Sequence, residues 1–285
     1  MKRSDFRFLE RLRVRWAEID AQKIVFNGHY LTYFDTAMSG YWRALAMPYA
    51  QTLERLAGDL FVRKAGVEYL GSARLDDLLD IGMRWERVGN ASLSFQGAAF
   101  RQDQLLVACE LVYVFADPQT RIPRPVPEPL RETLRAFEAG EAMVEVCVGR
   151  WDEMQRHARA IRSEVFVAEQ NIPVEMEWDE ADASAVHAVA LNRFGLPLAT
   201  GRLLQEAPGV ARIGRMAVTQ PMRGSGVGRA LLDALMRAAA ARGDREVRLH
   251  AQTSAQGFYA RAGFQPAGAV FEEVGIAHID MARPL

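Results

Sequence analysis

Residues 214–235 read GRMAVTQPMRGSGVGRALLDAL. The run Arg212–Val218 has the character of a strand, RGSGVG that of a loop, and Val227–Ala241 that of an amphipathic helix with Val227, Leu231, Leu235 and Met236 on one side. Gly224, Gly226 and Gly228 alternate through the loop between Arg223 and Arg229. Strand, bare loop and helix N-terminus in that order aim unbonded N–H groups and the positive end of the helix dipole at one point, which suits a phosphate. Glycine admits the phosphate close to the backbone and tolerates positive φ. Arg223 or Arg229 can add a charged clamp. GSGVGR is neither the dinucleotide G-x-G-x-x-G nor a P-loop, since no Gly-Lys-Ser/Thr follows. On these residues alone a plain strand-to-helix connector stays open.

Upstream of the loop the pattern predicts a strand at Met143–Val148, a helix at Trp151–Gln170, and strands at His187–Leu191 and Ala199–Leu204. The helix at Gly226–Ala241 is followed by a strand at Glu246–Ala251, a helix at Gln256–Ala262 and closing strands, a mixed α/β order. Farther upstream, DPQTRIPRPVPEP carries prolines at 118, 123, 125, 127 and 129, which exclude a helix interior or central strand. A short helix in PLRETLRAFEAGE ends near Gly140, so we divide the chain into domains 1–139 and 140–285. In the first, Tyr30, Phe34, Ala37, Tyr41 and Leu45 mark one face of a helix at His29–Met47. The runs LLDIGMRWERV, ASLSFQGAAFRQ and LLVACELVYVFA then read as strands. One helix followed by an antiparallel meander predicts an α+β fold with the sheet wrapped round the helix.

The 285 residues, 49% hydrophobic and 25% charged, suffice for two cores. A net charge of -1 with interspersed signs excludes the electrostatic footprint of a nucleic-acid or anionic-membrane binder. MKRSDFRFLERLRVRW has no apolar core and no apolar run approaches a membrane span, so neither signal peptide nor membrane helix is expected and the reading is cytoplasmic. Cys109 and Cys147 lie in apolar runs and are expected as buried free thiols. His29, His157, His187, His250 and His278 are scattered, and no metal is called for.

Arg223-x-x-Gly226-x-Gly228 after VTQPM resembles the acyl-CoA pyrophosphate loop of the GNAT N-acyltransferases, and QGFYARAGF (256–264) their following helix. RSEVFVAEQNIPVEMEWDEAD and FEEVGIAHIDM narrow the likeness over 143–285 to the ElaA-like branch. The first of these is also similar to acyl-homoserine-lactone synthases, held below the general N-acyltransferase reading. The resemblance implies that Met216, Ala217 and Val218 hold the pantetheine arm of acetyl-CoA or another acyl-CoA. It places the pyrophosphate on Arg223, Gly224, Ser225, Gly226, Val227, Gly228 and Arg229, and makes Tyr259 the acid that protonates the leaving thiolate. For the base, Glu175, Glu177, His187, Glu273 and His278 are candidates and none is chosen.

The stretch RVRWAEIDAQKIVFNGHYLTYFDTA (13–37) repeats the strand–loop–helix order, with Asn27 placed to cap the helix beside Asp20. It resembles the hotdog thioesterases of the 4-hydroxybenzoyl-CoA and YbgC type over residues 6–135. That likeness implies Asp20 as nucleophile or base, with acyl-CoA bound around Phe26, Gly28, His29 and Tyr30. Lys23 and His29 stand where that family commonly has glycine and asparagine. A lysine near Asp20 favours its ionised form through charge pairing.

Together these resemblances imply a hotdog domain followed by a GNAT domain. The function expected is acyl-CoA hydrolysis in the first and acyl or acetyl transfer to an unidentified amine in the second, in a homodimer or homotetramer built through the hotdog domain. The alternative is an N-acetyltransferase carrying a non-catalytic acyl-binding or dimerising module.

Overall fold

Strand β1 (Phe8–Arg13) precedes the central helix α1 (His29–Ala44), after which come α2 (Tyr49–Arg55), β2 (Asp59–Tyr69), β3 (Leu78–Val88), β4 (Ser92–Arg101), β5 (Gln104–Ala116) and α3 (Glu128–Glu138). This computed structural model describes residues 1–285, and they fall into two units, Met1–Met143 and Val144–Leu285. The first unit is a single antiparallel sheet of order β1-β3-β4-β5-β2. Tyr30, Tyr33, Phe34, Ala37, Met38 and Tyr41 are buried, three or four residues apart, so α1 presents one apolar stripe to the sheet. The aromatic core centres on Tyr41, whose ring lies edge-on to Phe8, Phe95 and Phe137. Its hydroxyl donates to Glu138 Oε1 (2.7 Å), which also accepts from the backbone N–H of Trp85 (3.0 Å), so α3 is tied to α1 and β3.

The second unit begins with β6 (Val144–Gly149) and α4 (Trp151–Arg162), followed by α5 (Val174–Glu177), β7 (Val186–Asn192), β8 (Pro197–Ala207) and β9 (Val210–Val218). Helix α6 (Val227–Arg242), β10 (Glu246–Gln252), α7 (Gln256–Arg261), β11 (Gln265–Glu273) and β12 (Ile276–Pro284) complete it. Its sheet has the order β11-β12-β10-β9-β8-β7-β6 and is antiparallel except between β9 and β10. No helix in either unit is long and apolar enough to cross a membrane.

Three local expectations are corrected. The helix expected to run unbroken from Trp151 to Gln170 is α-helical only to Arg162, and Ser163–Glu169 is wound as a π-helix. The Gln170 N–H bonds five residues back to Val165 O (3.1 Å). Asn27 does not cap α1: the N-cap is Gly28, with helical dihedrals and no side-chain bond. Cys109 is buried, but Cys147 is half-buried because it lies on the edge strand β6.

Candidate acyl-CoA sites

In the second unit, β9 and β10 pair only from Val210↔Glu246 to Ile213↔Leu249, after which the two parallel strands part. Beyond that point Ala217 and Val218 stay paired with Thr200 and Ala199 on the β8 side, so the opposite edge of β9, at Met216–Val218, is unpaired. The opening follows from a bulge: Gly214 pairs with Arg202 and Ala217 with Thr200, with Arg215 thrown into a left-handed conformation (φ 51°).

The glycine loop sits at the end of this strand. Gly224 (φ 81°) and Gly226 (φ 89°) are left-handed, a conformation costly for any other residue, and a Cβ on either would point into open space. Gly226 is the N-cap of α6 and no side chain caps that end. The first amides of the sixteen-residue helix therefore keep their donors free for a ligand. The two arginines are occupied elsewhere. Arg223 forms a two-pronged bridge to Glu169 (2.7 and 2.6 Å), and Arg229 pairs with Asp233 (2.9 Å). The Arg223 hydrogen bonds hold the Glu169 carboxyl below the usual carboxylate range. Ser225 turns its hydroxyl back onto Met222 O (2.6 Å).

A cavity of about 440 Å³ opens at the parting of the strands, walled by Phe166 of the π-helical segment, Gln170 just after it, Met216, Gln252 and Tyr259. Tyr259 is buried on α7 against Phe258 and Phe264, and burial pushes its phenol up to about 12, so it is protonated at neutral pH. Of the base candidates, Glu177, Glu273 and His278 line this cavity. Glu175 is exposed outside it, and His187 is buried against the Trp151 ring with Nε2 at 3.0 Å from Asp182 O. Beneath the cavity, fully buried Arg162 bonds Glu177 (2.5 Å) and Asp182 (2.9 Å) and lies over the Trp151 and Trp178 rings. Arg202 bonds Asp182 (2.8 Å) and Asp179 (2.5 Å). Arg162 and Arg202 were not singled out from sequence. The acids spaced along VEMEWDEAD were the available signal, but their arginine partners lie 15 to 23 residues away.

Comparison with known proteins decides the family. Residues 154–285 match the acetyltransferase (GNAT) domain and residues 22–108 the thioesterase superfamily. The "Uncharacterized N-acetyltransferase YjcF" of Bacillus subtilis is 34% identical over 137 residues, 48% of this chain and 96% of that protein. The chain belongs to the GNAT acetyltransferases. Its first half is a thioesterase-superfamily (hotdog) domain. Escherichia coli ElaA is 35% identical to the GNAT half over 127 residues, 43% of this chain and 82% of that one. For the hotdog half, a 1,4-dihydroxy-2-naphthoyl-CoA thioesterase from Synechocystis is 16% identical, covering 46% of this chain and 97% of its own, with a TM-score of 0.42.

In the hotdog domain, Asp20 lies in a tight loop closed by the Ile19↔Val25 bridge, and its carboxylate accepts from the Gln22 N–H (2.8 Å). The matched residues begin just after it. Lys23 is left-handed (φ 63°) and exposed, with its N–H on Asp20 O (3.0 Å), and no ion pair joins its side chain to Asp20. Phe26 is exposed beside the half-buried His29 ring, and Gly28 is exposed at the helix start. Tyr30 is buried, its hydroxyl accepting from the Ala73 N–H (3.0 Å). The reading of the sequence passed over Glu18, which is buried and accepts from the Tyr33 hydroxyl (2.6 Å) and from Arg15 N and Nε (both 2.7 Å). Burial alone would raise its carboxyl, but these bonds hold it below the ordinary range. Glu18 anchors the loop that carries Asp20.

Proposed function

We propose that the GNAT domain transfers an acyl group from coenzyme A to an amine and that the hotdog domain hydrolyses an acyl-CoA thioester. The observation that carries the first reaction is the alignment of an unpaired edge at Met216–Val218 with an uncapped helix end behind left-handed Gly224 and Gly226. The first can receive the amides of a pantetheine arm as an added strand, the second the pyrophosphate. The backbone amides of Gly224 and of Gly226 to Gly228 do the binding, the Ser225 N–H being turned onto Met222 O (3.3 Å), and Arg223 and Arg229 bound the loop. Tyr259 protonates the departing thiolate. In the hotdog domain Asp20 attacks the acyl carbonyl or activates water, with Phe26, Gly28, His29 and Tyr30 around the thioester. A cytoplasmic homodimer or homotetramer through that domain completes the reading.

One assay tests both halves: full-length protein with a panel of acyl-CoAs, following CoA release with and without added amines. Gly226→Glu places bulk and negative charge in the cradle and is expected to weaken acetyl-CoA binding at least about 100-fold, some 2.7 kcal/mol. Asp20→Asn is expected to stop amine-independent CoA release and to spare transfer. Unaltered transfer by Gly226→Glu removes the loop from the site, and unaltered hydrolysis by Asp20→Asn removes that residue from the chemistry. The short bond that ties Asp20 into its own loop favours a second reading, a hotdog module that binds acyl groups without turnover.

A further inference from the structure

We infer that His278 is the general base of the GNAT site, an assignment that rests on the transferase reading above. An acceptor amine reaches neutral pH as an ammonium and must lose a proton before it can attack a thioester. Five side chains on the cavity wall are placed to take it: Glu177, Asp179, His250, Glu273 and His278. Glu177 is held by buried Arg162, with Arg215 Nε at 3.4 Å, and Asp179 by Arg202 and Arg215. His250 is wedged between Glu273 (Nδ1, 3.2 Å) and Asp280 (Nε2, 3.2 Å), with Arg212 at 2.5 Å from Nε2, so Glu273 is occupied as well.

His278 differs. Its Nδ1 lies 2.8 Å from the carbonyl oxygen of Ile276. A carbonyl only accepts, so Nδ1 carries a proton, and in the neutral ring this leaves the lone pair on Nε2. Nε2 has no partner in the chain. The ring stacks on Phe271 of β11 (26° between planes), and His278 faces Gln252 across the β10–β12 register. Gln252, Tyr259 and His278 line the same cavity. The residue is thus oriented from one side and open on the other.

In the reaction an acceptor N–H proton passes to His278 Nε2, and the freed nitrogen lone pair forms the C–N bond at the thioester carbon. The tetrahedral oxyanion then collapses with cleavage of the C–S bond. Sulfur takes the Tyr259 hydroxyl proton, and the second amine proton returns to the phenolate through water. Each turnover releases amide, CoA thiol and the one proton held by His278.

The test is full-length protein with acetyl-CoA and a primary-amine panel (benzylamine, spermidine, amino-acid amides), measuring acetylated amine by mass so that hydrolysis does not interfere. His278→Gln is expected to lower kcat at least about 100-fold, to leave acetyl-CoA affinity by calorimetry within about twofold of wild type, and to lose the acid limb of the kcat–pH profile. Added imidazole is expected to restore part of the rate to His278→Ala. Transfer by His278→Gln within about threefold of wild type, or affinity for acetyl-CoA falling in step with kcat, overturns the assignment. Wild-type protein that binds no acetyl-CoA overturns the transferase reading, and this assignment with it.

Discussion

At the scale of the residue, the bridge between Arg223 and Glu169 sets the charge of the phosphate cradle. The guanidinium that borders the loop is neutralised by a carboxylate at the end of the π-helical segment, with both prongs at hydrogen-bonding distance. A pyrophosphate arriving at Gly224–Gly228 therefore meets backbone amides first and shares Arg223 with Glu169. Both partners are about 40% exposed, so the pair itself adds little to folding stability. Its effect belongs to binding. Glu169→Gln removes the competing charge and is expected to tighten acetyl-CoA binding by about three- to tenfold, some 1 kcal/mol, with Tm nearly unchanged. Calorimetric titration checks this, and unchanged affinity would show that Arg223 takes no part in phosphate binding. The loop itself was legible in the sequence because only glycine is at ease at φ 81° and 89°. The occupation of its arginines was not, since Glu169 lies 54 residues away.

Elements were legible where burial imposes a period. Helix α1 buries residues three or four apart and strand β5 every second residue from Val107 to Phe115, because each has one face in the core. Strands β3 and β4 instead carry unbroken buried runs (Leu79–Met83, Gly97–Phe100) and read as strands by their content and length. The edge strand β2 escaped that reading, and the strand expected to open residues 13–37 lies earlier, as β1, which ends at Arg13. FLERLR and DLFVRKAGVEY are mostly half-buried or exposed, so no apolar period marks them. The π-helical turn escaped because its apolar residues, Val165 and Phe166, serve an α-helix equally well. What fixes β1 is charge: Arg11 stands opposite Asp80 in register and donates to it at 2.7 Å, and Arg3 adds a bond at 2.8 Å. The Arg11 hydrogen bond, opposed by burial and helped by Arg3, holds the Asp80 carboxyl below its ordinary range. A depressed folded value means stability that is complete above the unfolded carboxylate range, about pH 4, and lost as pH falls through the folded value. Asp80→Asn is expected to cost about 2 kcal/mol at pH 7. The gap from wild type should close as pH drops below about 4. Urea unfolding at both pH values checks this, and a pH-independent gap would assign the loss to packing rather than charge.

On the scale of the whole molecule, the chain joins two units that each own a sheet and a core: five strands round α1 in residues 1–143, seven strands in 144–285. The proposed CoA-binding groups of the GNAT domain, from Met216 to Tyr259, all belong to the second unit, and Asp20 with its loop to the first. A ligand that binds a native unit and not its unfolded chain stabilises that unit by RT ln(1 + [L]/Kd), about 2.7 kcal/mol at a hundredfold excess over Kd. Coenzyme A, having no acyl group to hydrolyse, separates the two sites in calorimetric melting. Saturating CoA is expected to raise the melting temperature of a separately expressed 144–285 fragment by several degrees, since about 1 kcal/mol shifts Tm by some 2–4 °C or more in domains of this size. Gly226→Glu should abolish that shift, whereas in the full-length protein Asp20→Asn should leave the stabilisation of the second unit by CoA intact. A shift in the 144–285 fragment that survives Gly226→Glu would place the CoA phosphates somewhere other than the end of α6. Uncapped amides that bind no anion would then have to be satisfied by water alone.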